Sequence, residues 1–290
     1  MLEHTYAQPR ASSRVVVVGS GGFVGSAIVR RLAAEGIAHL ALSRRELDLL
    51  AADAGLRLRA LLQPGDAVVA AAAIAPCKTV AMLIDNMRIV ETLVGGLTGA
   101  PVEHVVNISS DAIYADGPVP LTEETPAAPT SLHGVMHLAR EIALRAEIRA
   151  PLAMLRPTLI YGAADPHNGY GPNRFRRLVA DGNDIVLFGE GEERRDHVAI
   201  EDVAEIALRV LQQRSVGSLN VATGEVHSFR AVAEMVAALA VKPVAIKGTP
   251  RSGPMPHNGY RPFDIAASRA AFPDFRYRSL QEGLRRAAAA

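Results

Sequence analysis

The chain has 290 residues, is 49% hydrophobic and carries a formal net charge of +1. Such a chain can build a full α/β core, as one large domain or as a Rossmann domain with a smaller partner, and its apolar content excludes disorder over most of its length. The charge balance gives no electrostatic case for nucleic acid or an anionic membrane, no apolar run approaches the roughly 20 residues of a membrane helix, and the single cysteine, Cys77, excludes an intrachain disulfide and fits a reducing cytoplasm as a structural thiol.

Residues 1–13 lack the apolar core of a secretory signal and read as a short polar lead-in. The stretch 14–30, RVVVVGSGGFVGSAIVR, then sets the organisation of the chain. Four consecutive valines suit a strand buried on both faces. Glycines follow at Gly19, Gly22 and Gly25, with Gly21 extra, and the period then changes so that Phe23, Ala27, Ile28 and Leu32 share one helix face. Strand, glycine turn and helix start make a phosphate cradle, because glycine lets the backbone approach a pyrophosphate at a helix N-terminus. An ordinary β-turn-α without a ligand is the alternative.

Residues 39–43 read as a second strand, ending in Ser43-Arg44-Arg45. A carboxylate at that end would accept the adenosine ribose hydroxyls of NAD. The sequence places none there, and two guanidiniums suit a 2′-phosphate, hence NADP(H), unless they form a solvated basic turn. Asp48 follows at a spacing that reaches an adenine amino group. Further strands are expected at 66–73, 102–109 and 153–159, with helices at 81–97 and 131–148. This alternation predicts a parallel sheet with crossover helices. Gly and Pro cluster at 162–172 as a loop. Helix 175–181, strand 185–188, helix 202–212 and a last sheet strand at 218–221 follow. Ser228 is an expected N-cap for a helix through Ala240, and a mixed region closes the chain in an alanine tail at 287–290. His197 is expected in a half-buried strand, and His104, His167, His227 and His257 at the surface or in loops.

Longer motifs carry a resemblance. The glycine spacing G-x-x-G-x-x-G, the run Asn107 to Tyr114 (NISSDAIY), Glu123-Glu124-Thr125-Pro126 with Pro129, Leu155-Arg156-Pro157 through Tyr161-Gly162, Phe188-Gly189-Glu190-Gly191, Arg195-Asp196-His197-Val198 and Arg261-Pro262-Phe263-Asp264-Ile265 occur in order. The set resembles the extended short-chain dehydrogenase/reductase family, in its nucleotide-sugar epimerase, dehydratase and reductase branch. The resemblance implies a doubly wound parallel sheet (Rossmann) at 14–162 plus 196–222, with a small C-terminal α+β substrate lobe at 163–195 plus 223–290. It implies NAD(P) contacts from Gly19, Gly22, Phe23, Val24, Gly25, Ala72, Asn86, Ser109 and Pro157. Arg195 and Arg261 match positions that hold a nucleotide diphosphate in relatives, with Asn173 in the same lobe. A homodimer through the helices at 81–97 and 131–148 is also implied.

The pattern breaks at the chemistry. The family's active-site helix carries Y-G-x-x-K, a tyrosine that moves a proton and a lysine that binds the nicotinamide ribose. Here the same frame reads His133-Gly134-Val135-Met136-His137, and no lysine lies between Lys78 and Lys242. Residues four apart share a helix face, so both imidazoles would point into the cofactor cleft. His133 can serve as general acid/base without a lysine, since histidine titrates near neutral pH. His137 would then meet the ribose and Ser110 the reacting oxygen. A metal site is not expected, because no third ligand is evident. The reading is NADP(H)-dependent oxidoreduction or epimerisation of a nucleotide-sugar-like substrate, with ketoreduction favoured over epimerisation by compact length and Arg44-Arg45. The rival is a catalytically silent NAD(P)- or metabolite-binding sensor or partner protein on the same fold.

Overall fold

A run of four valines has no polar face, so the strand that holds it must be covered on both sides. Val15 to Val18 are each at most 1% exposed. In the computed structural model of the chain, which describes residues 1–117 and 119–289, they belong to β2 (Arg14–Val18). Pro118 and Ala290, the last residue of the alanine tail, lie outside the described residues. β2 sits in a seven-stranded sheet with β1 (Glu3–His4), β3 (His39–Leu42), β4 (Asp66–Ala70), β5 (His104–Ile108), β6 (Leu152–Pro157) and, far along the chain, β10 (Ser215–Val221). The order is β1-β10-β6-β5-β4-β2-β3. All neighbours are parallel except β1, which runs antiparallel to β10.

Alternate residues of the strands feed two cores. Val15, Val17 and Val69 pack under α1 (Phe23–Ala34) and α6 (Ile200–Gln212). Val16, Val18 and Val68 pack under α2 (Ala54–Leu61), α3 (Val80–Leu97) and α4 (Leu132–Glu147). From β2 the chain moves outward to β3 and then returns to β4 on the other side. That reversal opens a crevice at the carboxyl ends of β2 and β4, where doubly wound sheets bind ligands. Among the described residues no helix is long and apolar enough to cross a membrane.

The lobe has its own sheet. β9 (Arg194–Ala199) pairs with β7 (Leu159–Tyr161), β11 (Val226–Ser228) and β13 (Tyr260–Arg261), while β8 (Ile185–Phe188) pairs with β12 (Ile246–Thr249). Residues 159–161 and 196–199, grouped by sequence with the Rossmann part, thus pair within the lobe sheet. α5 (Pro172–Ala180), α7 (Phe229–Ala237) and α9 (Leu280–Ala289) enclose a lobe core around Phe175, Phe229 and Leu284, and α8 (Ala266–Ala271) lies near β10. Ser228 caps α7 as expected, its Oγ accepting from the Ala231 amide at 3.1 Å.

Some expectations change. The lead-in contains strand β1: Glu3 and His4 pair with Val216 and Ser215. Two residues are too few to show a period. α2 has no counterpart in the sequence reading, because it buries only Ala54 and Leu58 and leaves Leu56 and Leu61 exposed. His104 is not at the surface. It begins β5 at 1% exposure, with its Nε2 2.7 Å from the Ser215 carbonyl. His197 is fully buried in β9 rather than half-buried, edge-on to Phe229. His227 is in β11, half-buried, rather than in a loop.

Burial pushes the His104 pKa down to about 4. In the unfolded chain an imidazole titrates near 6.5. Between those values the unfolded chain binds a proton that the folded chain refuses, so His104 loses its contribution to stability as pH falls from about 6.5 toward 4. Denaturant unfolding of the parent and of His104→Asn, followed from pH 7.5 to pH 5, should shift their stability difference by about 2 kcal/mol in the variant's favour. A difference that stays constant with pH would mean that the buried ring accepts its proton freely.

Candidate active site

The glycine turn is built for close approach. Gly19 has φ +93°, and a Cβ there would lie 2.5 Å from the Ala72 amide nitrogen. A Cβ on Gly25 would lie 2.2 Å from the Gly19 carbonyl oxygen. Only glycine satisfies both contacts, and they press the start of α1 onto the ends of β2 and β4. α1 has no side-chain cap and no acidic residue in its first turn, so its leading amides remain free for an anion. Phe23 and Val24 open that turn. The crevice beside it measures about 510 Å³ and is lined by Gly19, Gly22, Ser43, Arg44, Arg45, Asp48 and Ala72 among others. A glycine cradle that any Cβ would fill, leading into an uncapped helix start, fits a dinucleotide pyrophosphate.

The rim at the end of β3 holds more than two arginines. Glu46 turns back so that its carboxylate accepts from the Ser43 amide at 2.9 Å and from the Ser43 hydroxyl. These bonds lower its pKa. Sequence reasoning missed Glu46 because it lies beyond the strand and reaches Ser43 only through the turn. Arg44 meets Asp48 at 3.4 Å with 76% of its side chain exposed, so its guanidinium is free to move. Asn86 stands behind the crevice wall: its amide bonds both the N–H and the carbonyl of Ile74, and the Met82 carbonyl. It shapes the loop after β4. Pro157 ends β6, buried and paired with Val221.

α4 begins at a Ser131 cap, whose Oγ accepts from the Gly134 amide at 3.1 Å. A Cβ on Gly134 would lie 2.1 Å from the Ala112 carbonyl oxygen. The helix therefore sits directly on the 3-10 turn Asp111–Ile113, and His133 comes to the loop that carries Ser110 and Asp111. The His133 and His137 rings meet edge to face, with centroids 4.7 Å apart. His133 Nδ1 accepts from the Cys77 amide at 3.4 Å. Burial lowers the His133 pKa, with Asp111 opposing and His167 adding to the shift. Burial first, then His133 and Arg140, push His137 well below its usual value. Both rings are neutral at physiological pH. Ser110 Oγ accepts from the Ala112 amide and lies 3.4 Å from Asp111 Oδ1. Among the described residues, Ser109 Oγ and His137 Nδ1 are buried without a hydrogen-bond partner. Cys77 is buried and its thiol pKa is raised by burial, which is the reverse of nucleophile activation.

The lobe side is charged. Arg261, 2% exposed, donates from Nε to Asp111 Oδ2 at 3.0 Å and from Nη1 to Asp116 at 2.5 Å, with Nη2 on the Asp111 carbonyl. Arg195 reaches Glu193 at 3.3 Å and Asp111 at 4.0 Å, and among the described residues its buried Nε has no partner. His257, in a turn, bonds Asp116 through Nδ1 at 2.5 Å. Asn173 is committed to the fold: its side chain bonds the Gly162 amide and the Ile160 carbonyl. The structure thus joins His133, Ser110, Asp111, Arg195 and Arg261 around one loop, and keeps Asn86 and Asn173 one step behind it. Among the described residues no three His, Cys, Asp or Glu side chains gather as metal ligands.

The model of the NAD dependent epimerase/dehydratase family matches residues 15–222. A curated relative, the dTDP-4-dehydro-6-deoxy-D-allose reductase of Streptomyces bikiniensis, is 28% identical over 280 residues, covering 83% of this chain and 85% of its own length. The UDP-glucose 4-epimerase of Thermus thermophilus, solved with NAD, superposes with a TM-score of 0.82 at 25% identity, covering 95% of this chain and 98% of that one. A GDP-L-fucose synthetase from Naegleria fowleri, bound to NADP, shares the fold with a TM-score of 0.81 at 17% identity, over 99% of this chain and 96% of its own.

Gly134→Ala tests the seating of α4. Its added methyl must displace either the helix or the Ala112 backbone, and overpacking of this kind costs about 1–3 kcal/mol. Denaturant unfolding should show that loss, whereas an unchanged midpoint would show that α4 does not rest on the turn.

Proposed function

The chain belongs to the NAD-dependent epimerase/dehydratase family, and from that premise we propose that it is an NADP(H)-dependent oxidoreductase acting on a nucleotide-sugar-like substrate, as a ketoreductase. The observation that carries the reading is the seating of α4 on the Asp111 turn, which sets His133 against the loop that carries Ser110 and Asp111. The chain's similarity to the Streptomyces reductase over most of both lengths supports the substrate class.

The amides of the first turn of α1 would hold the pyrophosphate. Arg44, exposed and only loosely paired, would turn to a 2′-phosphate, with Arg45 beside it and Asp48 left to the adenine. When bound, the cofactor supplies hydride transfer. His137, with its open Nδ1, would meet the ribose. Ala72 main chain and Ser109 would line the same wall. His133 would move the proton at the substrate oxygen and Ser110 would orient that oxygen. Because the Cys77 amide donates to His133 Nδ1, the neutral ring keeps its proton on Nε2, as a donor. A donor suits reduction of a carbonyl, since Nε2–H polarises the oxygen and the proton it passes to the alkoxide is replaced from solvent so that the ring ends neutral, whereas epimerisation begins by taking a proton from a hydroxyl. Arg195 would take the diphosphate with its unpartnered Nε, and Arg261 would stand behind it through their shared Asp111. Val80 and Ile84 on α3, with Val135 and Ile142 on α4, leave apolar side chains exposed on two packed helices. A second copy of the chain would cover them in a cytoplasmic homodimer.

The second reading, a silent sensor, is favoured by the absence of both Tyr and Lys from the active-site frame. Calorimetry with NADPH and NADH, then absorbance at 340 nm with a panel of keto-sugar nucleotides, separates the two. Turnover that His133→Ala abolishes, with cofactor affinity nearly unchanged, establishes the enzyme. Tight binding without turnover favours the sensor, and binding of neither cofactor removes the oxidoreductase reading. Replacing Arg44 and Arg45 together by Ala should weaken NADPH about tenfold or more and leave NADH unchanged, since each charge-assisted contact contributes about 1.5–3 kcal/mol. If the double variant still prefers NADPH strongly, the 2′-phosphate is held elsewhere.

A further inference from the structure

Arg140 lies on α4, three residues beyond His137 and seven beyond His133, so all three share a face. It is 1% exposed. Its Nε donates to Asn107 Oδ1 at 2.6 Å, one terminal nitrogen to the Ala72 carbonyl at 2.5 Å and the other to the Ala70 carbonyl at 2.8 Å. Among the described residues no carboxylate pairs with it. Burial lowers its pKa only to about 10, so it remains a cation at neutral pH. A buried cation without a counter-ion costs several kcal/mol unless something offsets it. A core helix gains nothing from such a group that a leucine would not provide.

What it touches is informative. Ala72 lines the cofactor crevice and its amide is the atom that Gly19 must leave room for. Asn107 lies in β5, two residues before Ser109. We propose that Arg140 is a positioning residue: its fork ties the end of β4 to β5, and its charge lies beneath the crevice floor next to the His133–His137 pair. The inference rests on the reading of this crevice as the reaction site. The guanidinium adds to the burial and the His133 ring in keeping the His137 imidazole neutral, beside the ring that His133 packs against. The other ionisable groups facing the pair are Asp111 and His167, which act on His133 with opposite signs.

The test separates the charge from the fork, with the titration made on the chain without cofactor. Histidine titration by nitrogen-15 NMR should show the His137 midpoint rising by about one unit or more in Arg140→Gln, because one nearby buried charge has been removed. NADPH affinity should fall about tenfold or more as the 70–72 main chain loosens. The variant Arg140→Lys keeps the cation but loses the fork. It should leave the His137 midpoint within about 0.3 unit of the parent while NADPH affinity still falls. An unmoved titration and unchanged affinity in a folded Arg140→Gln overturn the proposal. If Arg140→Gln does not fold, Arg140→Lys decides: weaker NADPH binding with an unmoved His137 midpoint supports the proposal, and NADPH affinity equal to the parent's overturns it. Should the parent bind neither NADPH nor NADH, the proposed function falls, while the titration still decides the role of the charge.

Discussion

The angle of α4 depends on one buried ion pair. Glu141, fully buried, receives two bonds from Arg156 of β6 at 2.9 and 2.7 Å. Arg156 also donates to the Tyr114 hydroxyl, which donates in turn to Asn220 of β10. Helix, two strands and the loop that carries Tyr114 are therefore locked by one network. A pair like this adds little to net stability, because its desolvation offsets most of its attraction. Its geometry is demanding, however, and a fork meeting a carboxylate permits one orientation. The seating of Gly134 on Ala112 and the meeting of His133 with its loop follow from that orientation.

Charge is distributed unequally around the crevice. On the lobe side, Arg195 and Arg261 share Asp111, and Asp116 and Glu193 complete a cluster in which four of the six guanidinium nitrogens have an acid partner. On the sheet side, Arg140 rests on carbonyls and an amide alone. The rim of β3 is mixed, with Arg44 and Arg45 set against Glu46 and Asp48. An anionic ligand crossing this crevice meets mobile charge at the rim, committed charge at the lobe, and a fixed positive charge under the floor.

The cradle was legible because its constraints are local. A valine run, glycines at set intervals and an apolar helix face are all readable within about 20 residues, and the Ser131 and Ser228 caps lie beside the helices they start. The imidazole pair was legible for the same reason, being four residues apart on one helix. What stayed hidden involves partners distant in the chain. His104 is buried because Ser215 receives it, and no window around His104 contains Ser215. Arg140 reads as one more surface arginine until β4 and β5 are brought to it. Glu46 reads as part of a basic turn until its carboxylate folds back on Ser43. Arg195 and Arg261 were expected to be open to a ligand, and only the fold shows how many of their donors meet neighbouring acids.

The antiparallel edge strand has a consequence in time. Gly217 takes φ +102° because the Met1 carbonyl lies where a Cβ would be, and His4 meets Ser215 across a separation of 211 residues. During synthesis β1 is made 211 residues before β10, its neighbour in the sheet. At about 5–20 residues per second the two are separated by roughly 10–40 s. Through that interval the first residues have no strand to join, and the growing sheet presents β6 as an open edge. The unpaired edge of a nascent parallel sheet is a template for the wrong chain. Closing the edge opposite the crevice therefore waits until β10 has been made and β1 returns to it.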